Sequence, residues 1–312
     1  MPITLVHRTD AGAGDLSSDY LRSLLREAGH ECSYVTTVDD WESAVQQARD
    51  LVIVAGGDGT VAKVAMQMAG GDVPLVALPL GTANNIARHL GWHGPLGTLV
   101  QRLKTFVRRN VDIGVARGPW GERLFMEGVG AGSFAHVIGF TNTARGPLLD
   151  TPKDPAKKLE RDRHLMNAFV TENASQEWTV TVDGEVIEGA FVIVEVLNCR
   201  FIGPNLDLSP SADPYDGLLD VVMIDEAHRD RMQRFMRAHI MGDVPRPALP
   251  MRRARKAVLR LDATRVHIDD NVWPSRGAPP TPAGAYFEVH LHVAPGNLPV
   301  LVPASEPGLR HA

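Results

Sequence analysis

The chain has 312 residues, 44% of them hydrophobic and 22% charged, and a formal net charge of −5. Such a length leaves room for about two domains with real cores, the composition is that of a globular protein, and the negative charge argues against general nucleic-acid binding. No apolar run approaches the roughly 18–20 residues of a membrane span. MPITLVHRTD lacks the basic flank of a signal peptide, and Cys32 and Cys199 stand in no metal or redox spacing, so a cytoplasmic protein is expected.

In chain order, Ile3 to Val6 predicts a strand that runs into a flexible turn through Gly12. Tyr20 to Gly29 predicts an amphipathic helix with Leu21, Leu24 and Leu25 inward and Gly29 at its end. Ser33 to Thr37 predicts a second strand and Trp41 to Ala48 a second helix. Leu51 to Ala55 is an apolar run suited to a fully buried strand. Gly56, Gly57, Asp58, Gly59 and Thr60 follow it, then Val61, Val64, Ala65 and Met68 at helical spacing. Strand, glycine turn and helix make a phosphate-binding arrangement, because glycines admit an anion close to the backbone and the first helical N–H groups point at it. An Asp inside that turn repels phosphate unless a cation lies between, which suggests a nucleotide bound with Mg²⁺. A tight turn that binds nothing is the other reading of these residues. No P-loop is present, and Gly128, Gly130 and Gly132 do not complete a GxGxxG pattern.

Residues 74–91, PLVALPLGTANNIARHLG, repeat the plan: a buried strand over Leu75 to Leu78, a turn at Gly81 and Thr82, then a helix with Ile86, Ala87 and Leu90 on one face. Thr82 is placed to cap that helix or to bond a phosphate. Strands alternating with helices predict a parallel, doubly wound sheet. Ligands bind such sheets outside the carboxyl ends of the strands. The turns at Gly12, Thr37, Gly56 to Thr60 and Gly81-Thr82 all fall at that edge.

GGDGT followed by PLGTANN resembles the diacylglycerol kinase catalytic-domain family, lipid kinases of bacteria related to sphingosine kinases and NAD kinases. NAD kinases share the first motif and not the second. The resemblance implies contacts to ATP from Gly12, Thr37, Gly56, Gly57, Asp58, Gly59, Thr60, Gly81, Thr82 and Asn84, with Asp58 toward the nucleotide's Mg²⁺. The family's first turn reads Asn-Pro-x-x-Gly; here Arg8 and Thr9 stand at Asn-Pro and Gly12 is kept. Asn85 stands where the family has Asp.

Past Asn110 the apolar period shifts toward two, and Gly, Pro and Asp turns separate strand-like segments. The expected fold is therefore α/β: a doubly wound nucleotide-binding domain over 1–112 and 299–312, and a mainly antiparallel, sandwich-like β domain over 113–298. LPVLVPAS reads as a buried strand returning to the first domain. Residues 141–165 read as a polar loop over the cleft.

In NCRFIGPNLDLSPSADPYDGLLDVV, residues 198–222, Pro210, Ala212, Asp216, Gly217, Leu218 and Asp220 match the family, while Gly203-Pro204-Asn205 replaces three glycines. The resemblance implies a second, structural Mg²⁺ on Asp216 with carbonyls near Asp213 and Leu218; a hydrogen-bonded turn is the alternative. In VHIDDNVW, residues 266–273, Asp269 falls on the general base of the family's Asp-Gly-Glu, with Asp270 and Asn271 in place of Gly and Glu. Asp270, or no base at all, is the alternative. Asp183-Gly184-Glu185 has the tripeptide itself but reads as a hairpin turn. From 229 to 260 ten basic residues face two acidic ones, while the rest of the chain carries −13. That stretch is either a solvated helix and its neighbours or a surface for anionic lipid. The expected protein is thus an ATP- and Mg²⁺-dependent lipid kinase acting on a lipid hydroxyl, most plainly diacylglycerol, peripheral at a membrane and compatible with a homodimer. A kinase of a sphingoid base, phosphatidylglycerol or NAD, and a non-catalytic relative, stay open.

Overall fold

The structure, a computed structural model, describes residues 2–11, 16–143, 152–243, 248–262, 265–274 and 285–304. The chain divides into two units, Met1–Val111 with Gly296–Ala312, and Asp112–Pro295.

The first unit runs β1 (Ile3–His7), α1 (Ser18–Glu27), β2 (Cys32–Thr36), α2 (Trp41–Gln46), β3 (Leu51–Gly56), α3 (Asp58–Met68), β4 (Leu75–Pro79), α4 (Asn85–His89) and α5 (Leu96–Arg102). Its strands are parallel in the order β2-β1-β3-β4, with Leu5 opposite both Tyr34 and Ile53, and Ile53 opposite Val76. All of β3 is buried, which is why its sequence is continuously apolar rather than alternating. Ser17 caps α1 by accepting the Tyr20 N–H, and Gly29 turns the chain out at a positive φ of 86°. Leu21 and Leu25 are buried there; Leu24 is half-buried. The apolar face of α3 lies inward as its spacing predicts. Val300 pairs in parallel with Leu75, so the last strand does return to this sheet.

The second unit takes up β5 (Phe106–Gly118) from Asp112, then β6 (Gly121–Phe125), β7 (Gly128–Gly132), α6 (Ser133–Thr143), α7 (Pro155–Glu172), β8 (Gln176–Val182), β9 (Glu185–Leu197), β10 (Phe201–Ile202), β11 (Leu206–Asp207), β12 (Leu219–Asp225), α8 (Arg229–Ile240), β13 (Met251–Ala254), β14 (Lys256–Leu261), β15 (Val266–Ile268), β16 (Asn271–Trp273) and the first part of β17 (Phe287–Pro303). Its strand pairings are antiparallel. The long β9 serves two neighbourhoods: its first half pairs with β8, and its second half with β7 on one side and β12 on the other. One core holds Phe125, Trp178, Val194, Leu259 and Val289; a second lies under the helices around Phe134, Met166, Met232 and Phe235. Phe125 fills the space that Gly114 leaves opposite it, where a Cβ would come within 2.2 Å of the ring.

One expectation fails here. Of residues 141–165, read as a polar loop, 141–143 end the helix α6 and 155–165 belong to the helix α7, while 144–151 lie outside the described residues. Asp154 caps α7 through the N–H groups of Ala156 and Lys157, and Pro155 takes the first position, where no N–H is needed. Only Met166 and Val170 are fully buried along it, too sparse a pattern to stand out from its charges.

Candidate active site

At the carboxyl ends of β3 and β4 the two glycine stretches meet. Gly56 pairs with Pro79, and the Leu80 N–H donates to the Gly56 carbonyl at 3.0 Å. A Cβ on Gly81 would stand 2.3 Å from the Gly57 Cα, so the backbones touch where no side chain fits. Asp58 opens α3 and accepts the Ile86 N–H on Oδ1 at 2.9 Å, tying the first motif to the start of α4. Asn84 turns left-handed at φ 55° and braces its own loop: Oδ1 accepts the Gly81 N–H at 2.7 Å and Nδ2 donates to the Gly81 carbonyl at 3.0 Å. The N-cap of α4 is therefore Asn84 rather than Thr82, which lies two residues earlier in the loop. The left-handed turn at Asn84 delays the helix and takes the cap away from Thr82.

A pocket of about 360 Å³ opens among Arg8, Thr9, Asp10, Thr37, Val38, Trp41, Thr60, Lys63 and Val64, within the range of small-ligand sites. Of the residues singled out in the sequence, Thr37 and Thr60 line it; Gly12 lies outside the described residues. Arg8 and Thr9, which depart from the family's Asn-Pro, are part of the same wall. The Arg8 guanidinium grips Asp10 at 2.7 and 3.1 Å. That hydrogen bond holds the Asp10 carboxyl below its ordinary range, with both groups in solvent. Sequence reading missed Trp41 and Lys63. Lys63 had a signal, since Thr60, Lys63 and Val64 share one helical face. Trp41 had none beyond following the strand-end turn.

Two cation sites are implied. Asp58 is one carboxylate beside a helix start, and among the described residues no group of three or more His, Cys, Asp or Glu could hold a metal alone. That donor set suits a magnesium ion arriving with a nucleotide, where phosphate oxygens supply most ligands. The Asp213–Leu218 turn is different. Asp216 Oδ1 accepts the Leu218 N–H at 2.9 Å and its Oδ2 pairs with Arg253. Asp213 Oδ1 accepts the Tyr215 N–H at 3.0 Å, and Asp112 Oδ2 accepts the Gly217 N–H at 2.7 Å. Of the implied donors only Asp216 is a side chain, and it is shared with the Leu218 N–H and Arg253, so the carbonyls near Asp213 and Leu218 would have to supply most of the oxygen ligands of a cation here.

Asp269 and Asp270 form the turn between β15 and β16, where Ile268 pairs with Asn271. Asp269 is 9% exposed and left-handed at φ 47°. Its carboxylate accepts three backbone N–H groups: Met126 on Oδ2 at 3.0 Å, and Glu127 and Gly128 on Oδ1 at 2.8 and 3.2 Å. Burial raises its pKa, the three N–H bonds oppose the rise, and the result is about 6. A carboxylate with that value is largely ionised at neutral pH yet basic enough to take a proton. Asp270 is exposed. Asn198 steadies the segment, its Nδ2 donating to the carbonyls of Asp112 and Met126 at 3.0 and 3.3 Å. Asp183 is a hairpin residue, left-handed at φ 47°, its carboxylate taken by the N–H groups of Arg255 and Lys256.

The chain thus joins a doubly wound unit with two glycine-bearing strand ends to an antiparallel β unit with a buried carboxylate in a turn. Comparison with known proteins identifies its family. Residues 2–116 match the diacylglycerol kinase catalytic domain, and residues 163–302 the YegS C-terminal NAD kinase beta sandwich-like domain. The chain belongs to the diacylglycerol kinase catalytic-domain family. It is 26% identical over 218 residues to a protein of Mycobacterium tuberculosis (strain CDC 1551 / Oshkosh) named "Diacylglycerol kinase", a match covering 64% of this chain and 65% of that one. It is 29% identical over 300 residues to a "Probable lipid kinase YegS-like" of Pseudomonas aeruginosa (strain UCBPP-PA14), covering 91% and 89%. A crystal structure of a diacylglycerol kinase from Bacillus anthracis str. Sterne aligns with a TM-score of 0.67 at 17% identity over 96% of each chain, a likeness of fold. Among the described residues no helix is long and apolar enough to cross a membrane.

Proposed function

We propose that this chain is an ATP- and Mg²⁺-dependent lipid kinase that transfers the γ-phosphoryl group to a lipid hydroxyl, with diacylglycerol the first acceptor to test. The observation that carries the reading is the meeting of Gly57 with Gly81 at the ends of two adjacent parallel strands. It stands on one unit with a pocket walled by Arg8, Thr37, Thr60 and Lys63. The backbone of those turns and the hydroxyls of Thr37, Thr60 and Thr82 bind phosphate oxygens, and the Trp41 ring offers an apolar face to a base. Asp58 supplies a carboxylate to the nucleotide's cation. Bound Mg²⁺–ATP brings the phosphoryl group and the charge neutralisation on which such transfers depend. Asp269 accepts the proton of the lipid hydroxyl. The relatives named as diacylglycerol and lipid kinases support the acceptor class. The exposed Arg231, Arg234, Arg237, Arg252, Arg255, Lys256 and Arg260 support a peripheral site on anionic membrane at the cytoplasmic face.

The test is γ-labelled ATP with mixed phospholipid vesicles, with and without Mg²⁺, products separated by thin-layer chromatography. Label in phosphatidic acid that needs both Mg²⁺ and diacylglycerol is the expected result. Label in a sphingoid base, phosphatidylglycerol or NAD moves the acceptor, and ATP binding without transfer to any of them makes the chain a non-catalytic relative.

A further inference from the structure

The second unit holds a buried acid–base pair that nothing in the proposed reaction uses. Glu195 on β9 and His267 on β15 are 0% and 1% exposed, and His267 Nε2 lies 2.8 Å from Glu195 Oε2. Isolated buried charges are costly, and a buried pair gives little net stability, so its presence asks for another explanation.

Register supplies one. Strand β7 runs between β9 and β15, and Gly130 at its centre is opposite Glu195 on one side and His267 on the other. The carboxylate and the imidazole meet over a residue with no side chain: a Cβ on Gly130 would stand 2.2 Å from the Glu195 carboxylate. Gly130, the middle glycine of GVGAG, which completes no nucleotide fingerprint, makes room here for this contact.

The other ring nitrogen faces the turn. His267 Nδ1 lies 3.1 Å from the Asp269 carbonyl oxygen. A carbonyl only accepts, so Nδ1 carries the hydrogen and donates it. The Nε2–Oε2 contact then holds one further proton between imidazole and carboxylate. Glu195 Oε1 has no partner among the described residues, which suits a neutral pair better than a full carboxylate charge. Burial pushes the Glu195 carboxyl up; burial also works against the His267 cation, but the Glu195 carboxylate and the Asp269 carbonyl and charge together outweigh it and the imidazole is raised. Both shifts act to keep that proton in place.

We infer that Glu195 and His267, meeting across Gly130, are positioning residues: they fix the left-handed backbone of Asp269 so that its carboxylate lies across the N–H groups of Met126, Glu127 and Gly128. Asp269 is non-glycine at a positive φ, a conformation that costs free energy and persists only where the surroundings impose it. The Nδ1–H donation to the Asp269 carbonyl is one such constraint, and the Gly128 carbonyl, accepting the Asp269 N–H at 2.9 Å, is another.

The inference rests on reading Asp269 as the base, and its test separates the two. Amide signals of Met126, Glu127 and Gly128 are followed by ¹H–¹⁵N NMR in the full chain. Transfer of label from ATP to dioleoylglycerol in phosphatidylglycerol vesicles is measured alongside. His267→Leu and Glu195→Ala should each shift those amides and lower kcat by about 10²-fold, the cost of a misplaced reacting group, with the KM for ATP unchanged. Glu195→Gln can donate its amide hydrogen to Nε2 and should recover at least about tenfold over Glu195→Ala. Should His267→Leu lose its thermal transition, the two Glu195 variants decide on the same readouts. Unshifted amides with kcat near the parent's in His267→Leu, or Glu195→Gln falling as far as Glu195→Ala, overturns the inference. An active Asp269→Asn chain removes the base assignment and leaves the amide test standing.

Discussion

The two units carry their proposed functional groups in opposite ways. In the first unit the functional groups are mostly backbone, gathered within a few residues of two adjacent strand ends: Gly56 to Thr60 and Gly81 to Asn84. In the second unit one side chain, Asp269, depends on partners at residues 126–128, 195 and 267. A site of the first kind tolerates little change in shape and is held by close approach. A site of the second kind tolerates little change in its supporting polar groups, because each is buried and its loss leaves another unsatisfied.

The sharpest break between them comes at Asp269. Asp269→Asn should lower phosphoryl transfer by about 10³-fold, the scale of a lost general base, and leave ATP binding to the first unit as it was. It should also cost about 1–3 kcal/mol of stability, since an amide NH₂ replaces one oxygen among three N–H donors. Transfer assays and thermal melts read both, and a fully active variant moves the base elsewhere. Gly81→Ala should do the reverse. Its Cβ has no room 2.3 Å from Gly57 Cα, so the two loops must part. ATP binding should weaken by about 10²-fold, while the amide signals of 126–128 stay in place. Unchanged affinity would mean that the close approach is incidental to the nucleotide.

This contrast also explains what could be read from the sequence. The first unit was legible nearly element by element, because a buried parallel strand is a continuous apolar run and its phosphate loop follows directly. What escaped there were the short helix α5 and contributions made through three dimensions: Asn84 taking the cap from Thr82, and Trp41 and Lys63 reaching the pocket. In the second unit the strands were legible from their period of two, and Asp269 only through its family motif. Glu195 and His267 were not legible as partners, because each reads as an ordinary strand residue until register brings both to Gly130. The helix α7 was hidden by its charges, although Asp154-Pro155 was a start signal available to be read.

The pH dependence sharpens the comparison further. With a value of about 6, the Asp269 carboxyl must lose its proton to act. Transfer should therefore be level above about pH 7 and fall tenfold per unit below about 6, with ATP binding flat over the same range. Stability runs the other way. The folded value is raised above the ordinary 3.8, so this group's contribution is full below about pH 4 and is lost as pH rises through about 6. An acid limb with its midpoint near 4 would show that the turn does not hold Asp269 as described.

The smallest effect is expected at Lys63. Its side chain is exposed on α3 and reaches the pocket beside Thr60 and Arg8. A surface cation facing a phosphate contributes about 1 kcal/mol or less once solvent screening is counted. Lys63→Ala should thus raise the Kd for Mg²⁺–ATP by about fivefold or less at low salt. The Debye length shrinks from about 30 Å at 0.01 M to about 8 Å at 0.15 M, so the difference from the parent should narrow across that range. Gly81→Ala, a steric lesion, should show no such narrowing. Titration calorimetry at two ionic strengths distinguishes them, and a salt-independent loss at Lys63 would place its role in packing rather than in charge. Neither variant should move the acid limb near pH 6, since that limb belongs to a buried carboxyl on the other unit.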